Sequence, residues 1–276
     1  MGWLNYVGLS SIMAFDFSTL LPWDSGLRHH KAVCPMTKEH LQAARLCHKV
    51  YDDDYLHAAE RFVDSESTNV QCAMTFEDHK LFVVFRGTDD MVDWYHNFQA
   101  NLVKYPANSE SEFHAGFLVQ WLSVKQEVEN KIVEMIQSRR DAVDAIVLTG
   151  HSAGCPSACL CAIELANVNN IDVRVVTFGS PRFANDVFKE DFEENKKISC
   201  SRIVLDRDLV TRFPVSYTYA HVGKPLQLRG DHVLERDTSV LETIQWCLLG
   251  IPRMDLGFRD HDVQNYVKEI EKLLTK

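Results

Sequence analysis

Residues 145–166 read AIVLTGHSAGCPSACLCAIELA. An apolar run enters a turn at Gly150, His151, Ser152, Ala153 and Gly154 and leaves through a second, mostly apolar segment. A continuous apolar run bounded by a turn is the pattern of a strand buried on both faces, as in parallel sheets covered by helices. Pro156 falls near the first turn of the segment that follows. A helix tolerates proline there because its first N–H groups have no acceptor inside the helix. The stretch is therefore read as a buried strand that turns sharply into a helix. A serine with glycine two residues to either side has a physical reason in such a place. The turn strains the serine backbone and lifts its hydroxyl clear of the sheet, and the glycines remove side chains that would collide. The Ala153 N–H then sits at a helix start, aimed where negative charge would develop.

The rest of the chain repeats the alternation. KEHLQAARLCHKVYDD predicts a helix, with Thr37 ahead of it as N-cap. NVQCAMTF and KLFVVFRG predict two strands joined by a short turn at Glu77, Asp78 and His79. FLVQWLSVKQEVENKIVEMIQSRR places Leu118, Trp121, Leu122, Val128, Ile132, Met135 and Ile136 on one helical stripe. DVRVVTFGS, ISCSRIVLDRD and HVGKPLQLRG predict further strands, with a helix in FANDVFKEDFEENKK between the first two. DVQNYVKEIEKLLTK predicts a last amphipathic helix, with Val263, Tyr266, Val267, Ile270, Leu273 and Leu274 on its apolar side. Strands alternating with helices imply an α/β chain with a mostly parallel sheet flanked by helices. One domain over residues 37–276 suffices, preceded by an arm or short helix over residues 1–36 that packs on the body.

Composition narrows the chemistry by exclusion. A formal charge of -10 with no long Lys/Arg block argues against nucleic acid as a partner. Eight cysteines, at 34, 47, 72, 155, 159, 161, 200 and 247, include no CxxC pair to suggest zinc or a redox dithiol. Cys155 and Cys159 read as inert core residues of the helix after the serine turn. The first 26 residues carry Trp3, Phe15, Phe17 and Trp23 but lack a basic leading region, and Asn5 and Asp16 interrupt the apolar run. They are read neither as a secretory signal nor as a membrane span, and a reducing, cytoplasmic setting is expected.

A serine hydroxyl is a poor nucleophile without a base, so a histidine and an orienting carboxylate must accompany it. In strand–turn–helix enzymes of this kind the chain order is serine, then acid, then histidine. RIVLDRDLVTRFP ends a strand with Asp206 and Asp208, and either can emerge at the carboxyl edge where catalytic groups gather. Beyond it stand His221, His232 and His261. His261 lies just before the last helix on a loop that can bring its ring over the sheet edge. His221 opens a strand, and His232 lies in a polar loop.

Several segments, in order, resemble the class 3, or fungal-type, triacylglycerol lipases of the α/β-hydrolase superfamily. FRGTDDMVDWYHNF is similar to that family's oxyanion strand and lid, FHAGF to the entry of the helix before the nucleophile strand, and LTGHSAG to its nucleophile turn. VTFGSPRFAN and RDLVTRFP, then HVG and the terminal histidine, resemble the segments that follow. The resemblance runs from about residue 37 to the C-terminus and implies an α/β-hydrolase fold. It implies Ser152 as nucleophile, Asp208 (before LV and P) as acid, and His261 as base. Thr88 and the Ala153 N–H would form the oxyanion hole, with a lid over residues 89–98 that brings Trp94 over the acyl site. Asp206 is then a solvated or loop-bonding carboxylate. The implied activity is ester hydrolysis through an acyl-enzyme that releases a fatty acid, with no metal or organic cofactor. Its partner is a lipid or ester substrate, met in solution or at a membrane or lipid-droplet surface. Two alternatives are a phospholipase A1 or soluble carboxylesterase with the same triad, and a lipase-like binding or signalling module whose triad is idle. The turn departs from the family's Gly-His-Ser-Leu-Gly-Gly at Ala153 and Cys155, a change expected to reshape the floor of the acyl pocket. His151 is given a packing or hydrogen-bonding role.

Overall fold

In a strand, successive side chains point to opposite faces, so a run buried throughout must be covered on both sides. β3 (Lys80–Phe85) does this: Leu81, Val83 and Phe85 enter one core layer and Phe82 and Val84 the other. β6 (Ala145–His151) is buried along its whole length and sorts Ile146 and Leu148 from Val147 in the same way. These elements belong to a computed structural model that describes residues 36–88, 101–139, 143–168, 171–250 and 259–276. The expected arm (apart from Met36), the expected lid and Trp94 lie outside the described residues.

The remaining strands are β1 (Arg61–Ser65), β2 (Val70–Glu77), β4 (Leu102–Lys104), β5 (Glu112–His114), β7 (Asp172–Phe178), β8 (Ile198–Leu205), β9 (Lys224–Arg229) and β10 (His232–Leu234). Eight of the ten form one sheet in the order β1-β2-β3-β6-β7-β8-β9-β10, and β4 pairs with β5 separately. From β3 through β9 the neighbours in that sheet run parallel. Antiparallel pairs close both edges. The β2–β3 turn holds Asp78 and His79 at φ 49 and 61, the left-handed geometry that matches the twist of a tight hairpin.

One layer of helix consists of α3 (Ala115–Ser138), α4 (Gly154–Val168) and α5 (Asp186–Glu194), which bury Trp121, Leu160, Phe188 and Phe192 against the sheet. On the opposite face lie α1 (Lys38–Lys49) and α7 (Val263–Leu274), through Leu46, Cys47, Tyr266 and Ile270. Thr37 caps α1 and, with His40, completes a reciprocal capping pair. Two further helices are α2 (Asp53–Ala58) and α6 (Val240–Gly250).

The alternation predicted from the sequence is the alternation observed, a mostly parallel sheet flanked by helices, the arrangement expected of an α/β-hydrolase fold. Several details differ: β4, β5 and α6 were not anticipated, and His221 precedes β9 rather than opening it. β1 and α2 are short and half-exposed, with too little periodicity to signal either. His232 lies not in a loop but on the three-residue edge strand β10. Leu122 is 42% exposed; Val124 takes its place on the buried stripe of α3, turned by the helix's 3.6-residue period.

Candidate active site

The turn between β6 and α4 is set by backbone crowding. Ser152 is held at φ 57, a left-handed conformation that a non-glycine residue adopts only where its surroundings enforce it. Its N–H donates to the Phe178 carbonyl of β7 at 3.0 Å, and its own carbonyl accepts from the Cys155 N–H at 3.1 Å. A Cβ at Gly150 would stand 2.5 Å from the Gly154 carbonyl oxygen, and one at Gly154 would stand 2.3 Å from the Phe85 carbonyl oxygen. Both glycines are therefore required by the close approach of strand and helix.

Beside the turn, β3 ends level with Gly150, its pairing partner at Phe85, and continues through Arg86, Gly87 and Thr88. A Cβ on Gly87 would lie 3.0 Å from the Ser152 Cβ, so this segment passes directly against the serine. Thr88 follows, half-buried, and Ala153 immediately precedes α4, where N–H groups lack helical acceptors. Cys155 is fully buried, and its thiol points back toward the Gly150 and Phe178 carbonyls at 3.2 and 3.3 Å. Its side chain thus supports the turn from inside the sheet rather than flooring a pocket. Burial pushes that thiol well above the ordinary thiol range, and at Cys159 a hydrogen bond with Cys200, followed by burial, raises the thiol too, so both stay protonated.

Of the later acids and histidines, the structure brings Asp208 and His261 together. His261 Nδ1 lies 2.8 Å from Asp208 Oδ2. The carboxylate can only accept, so Nδ1 carries a proton, and in the neutral ring Nε2 is then left with its lone pair. That Nε2 is buried and has no hydrogen-bond partner. Asp208 is fully buried at the end of β8 and also accepts from the Val210 N–H at 2.9 Å and from the Tyr266 hydroxyl of α7. Burial alone would raise its carboxyl, but the His261 charge and the hydrogen bonds from His261 and Tyr266 outweigh it and hold the carboxyl below its usual value. Gly179, at φ 63, leaves room for the pair: a Cβ there would stand 2.8 Å from both Asp208 Oδ2 and His261 Cε1.

The pair also lies against the serine turn. The His261 ring is tilted over that of His151, the neighbour of Ser152, with centroids 4.5 Å apart. Gly179 directly follows Phe178, whose carbonyl receives the Ser152 N–H. The other candidates are placed elsewhere. Asp206 accepts from the Gln227 side chain at 2.9 Å and stands 3.5 Å from Arg229. His221 is buried 3.7 Å from Asp237, with burial the main cause that holds it well below the ordinary imidazole range. His232 is exposed.

Four residues of this region were not singled out from the sequence for the site: Gly87, Gly179, Tyr51 and Tyr266. Tyr266 was placed on an apolar helix stripe, and its hydroxyl is the signal it offered, since a buried tyrosine needs a partner for that group.

Residues 82–218 match the family described as Lipase (class 3). That match covers just under half of the chain, which over these residues is similar to the class 3 lipases. Among curated relatives, the lipase of Rhizomucor miehei is 26% identical over 183 residues, covering 64% of this chain and 50% of that protein. Phospholipase A1-II 5 of Oryza sativa subsp. indica is 27% identical over 190 residues, covering 58% of this chain and 41% of that one. The chain thus spans half or less of the length of these curated relatives. Among solved structures, Rhizomucor miehei triacylglyceride lipase superposes with a TM-score of 0.68 at 19% identity, covering 76% of this chain and 88% of that one. The lipase from Rhizopus microsporus var. chinensis gives 0.64 at 19% identity, covering 79% and 83%. At such identities the structures speak to fold alone. The class 3 match contains Ser152 and Asp208 but stops short of His261 and Tyr266, which the fold itself carries to the site.

Proposed function

We propose that this chain is a serine-dependent carboxylic ester hydrolase acting on acyl-ester lipids. The observation that carries the reading is the Asp208–His261 pair: it leaves a buried, unpartnered Nε2 acceptor beside a turn that strains a serine. Ser152 is the nucleophile, His261 the base and Asp208 the orienting acid. As Ser152 Oγ bonds to the ester carbonyl carbon, its proton passes to His261 Nε2, and Asp208 steadies the imidazolium. The Ala153 N–H and the Thr88 backbone N–H and hydroxyl hold the oxyanion, each donor contributing on the order of 100- to 1000-fold in rate. The imidazolium then protonates the departing alkoxide. Water, deprotonated by the same ring, attacks the acyl-enzyme and releases the fatty acid. Each of these steps is carried by protein groups alone.

Both a lipase and phospholipase A1 proteins stand among the relatives, so an acylglycerol is the first substrate to test and a phospholipid sn-1 ester the second. No described helix is long and apolar enough to cross a membrane.

The test is covalent labelling by a fluorophosphonate probe, followed by turnover of short- and long-chain p-nitrophenyl esters, an emulsified triglyceride and a phospholipid. Labelling that vanishes in Ser152→Ala, with turnover unchanged by EDTA, is the expected result. A well-folded wild-type protein that never labels would mark the chain as a binding module.

A further inference from the structure

One hydrogen bond to Nδ1 sets the tautomer of His261 but leaves the ring free to pivot about it, and the main chain carrying that ring needs an anchor of its own. His151 supplies a contact there: its Nε2 lies 2.7 Å from the His261 backbone carbonyl oxygen. A carbonyl only accepts, so the proton is on His151 Nε2 and its Nδ1 is an acceptor. Opposite Nδ1, at 2.8 Å, stands the hydroxyl of Tyr51, which donates to it. Burial, reinforced by the neighbouring His261, drives His151 down to about 3. His151 thus stays neutral and adds no second positive charge beside a ring that must become imidazolium during turnover.

Tyr51 also touches the opposite wall of the site. Its hydroxyl occupies the space a side chain on Gly87 would need, since a Cβ there would stand 2.4 Å from it. The Arg86 guanidinium lies over the Tyr51 ring, 5.4 Å from the centroid. The same hydroxyl is therefore wedged between the segment leading to Thr88 and the histidine that grips the main chain of His261.

We infer that Tyr51 and His151 are positioning residues that fix the backbone of His261 against the oxyanion segment, so that Nε2 is presented to Ser152 rather than swung away from it. The inference rests on the hydrolase reading and adds to it a role for a residue outside the family-matched segment. Displacing a catalytic group by about 1 Å costs on the order of 100-fold, so partial loss of this grip lowers kcat while leaving substrate binding intact.

The experiment compares p-nitrophenyl butyrate kinetics and fluorophosphonate labelling rates for the wild type, Tyr51→Phe, His151→Leu and His151→Gln, with folding checked by circular dichroism. Tyr51→Phe is expected to lower kcat about threefold to tenfold, and His151→Leu about 30-fold or more, both with KM unchanged. Glutamine offers an N–H to the His261 carbonyl and an oxygen to Tyr51. His151→Gln should therefore recover about tenfold over His151→Leu, which a purely packing role would not produce. Wild-type kcat in Tyr51→Phe, or a glutamine variant no better than leucine, overturns the positioning role. If His151→Leu fails to fold, Tyr51→Phe, which removes only one oxygen, decides. A wild type that never labels removes the hydrolase reading and this one with it, whereas labelling at equal rates in all variants removes only this one.

Discussion

Around Ser152 the chain is held by backbone crowding, whereas around His261 it is held by hydrogen bonds between side chains distant in sequence. The first arrangement needs Gly150, Gly154 and Gly87, each of which admits another piece of main chain where a Cβ would collide. The second needs Asp208, Tyr266 and His151, drawn from the loop after β8, from α7 and from β6. Crowding is all-or-nothing and tolerates no added methyl group. A bonded network loses its members one at a time, each loss showing as weaker chemistry before any loss of fold. The turn can thus stay rigid while the base keeps the freedom it needs to take up and release a proton.

The sharpest way to break this comparison is Asp208→Asn. It deprives the base of its carboxylate while leaving the crowded turn untouched. Ester turnover should fall on the order of 10,000-fold, with the circular dichroism spectrum preserved. A loss under about tenfold would mean that the acid–base pair is not a unit. Next in size is Gly154→Ala, which touches no polar group of the site. Driving a Cβ to 2.3 Å from the Phe85 carbonyl should cost about 3 kcal/mol or more in urea unfolding. A wild-type midpoint would show that the strand–helix junction has slack. A third test concerns pH. The folded chain keeps His151 neutral down to about 3, while an unfolded histidine takes up its proton near about pH 6.5. Between those values the unfolded state binds more protons. Stability is therefore complete above about pH 6.5 and declines as the pH falls toward 3. Asp208 and Asp237, both held below the usual carboxyl range, act in the same direction at the acid end. Denaturation midpoints across this range should fall less steeply for His151→Gln than for the wild type, and equal slopes would assign the effect to other groups.

The same contrast explains what could be read beforehand. Strands β3 and β6, helix α3 and the serine turn declare themselves locally, through runs of apolar residues, a 3.6-residue period, and glycines at fixed offsets. The short, half-exposed β1 and α2 carry no such period. Asp208 was separated from Asp206 only through the order of neighbouring motifs, because the two share one local pattern, whereas His261 stood apart from His221 and His232 by its loop just before the last helix. Tyr51 and Gly179 were out of reach: what makes them matter is the distance from a hydroxyl or a missing Cβ to groups 29 to 100 positions away. Trp94 and the lid lie among residues not described, and their part in substrate contact stays a proposal.

The pairing of α1 with α7 has a consequence for the order of events on the ribosome. The two helices share a core, and Arg45 reaches Glu271 across it. A growing chain therefore exposes Ser152 and Asp208 long before position 261 has been made. On the proposed hydrolase reading, the serine has no proton acceptor until α7 has been made and packs onto the first helix. A stalled or truncated nascent chain would then be chemically mute, and ester cleavage would switch on only when the body has closed.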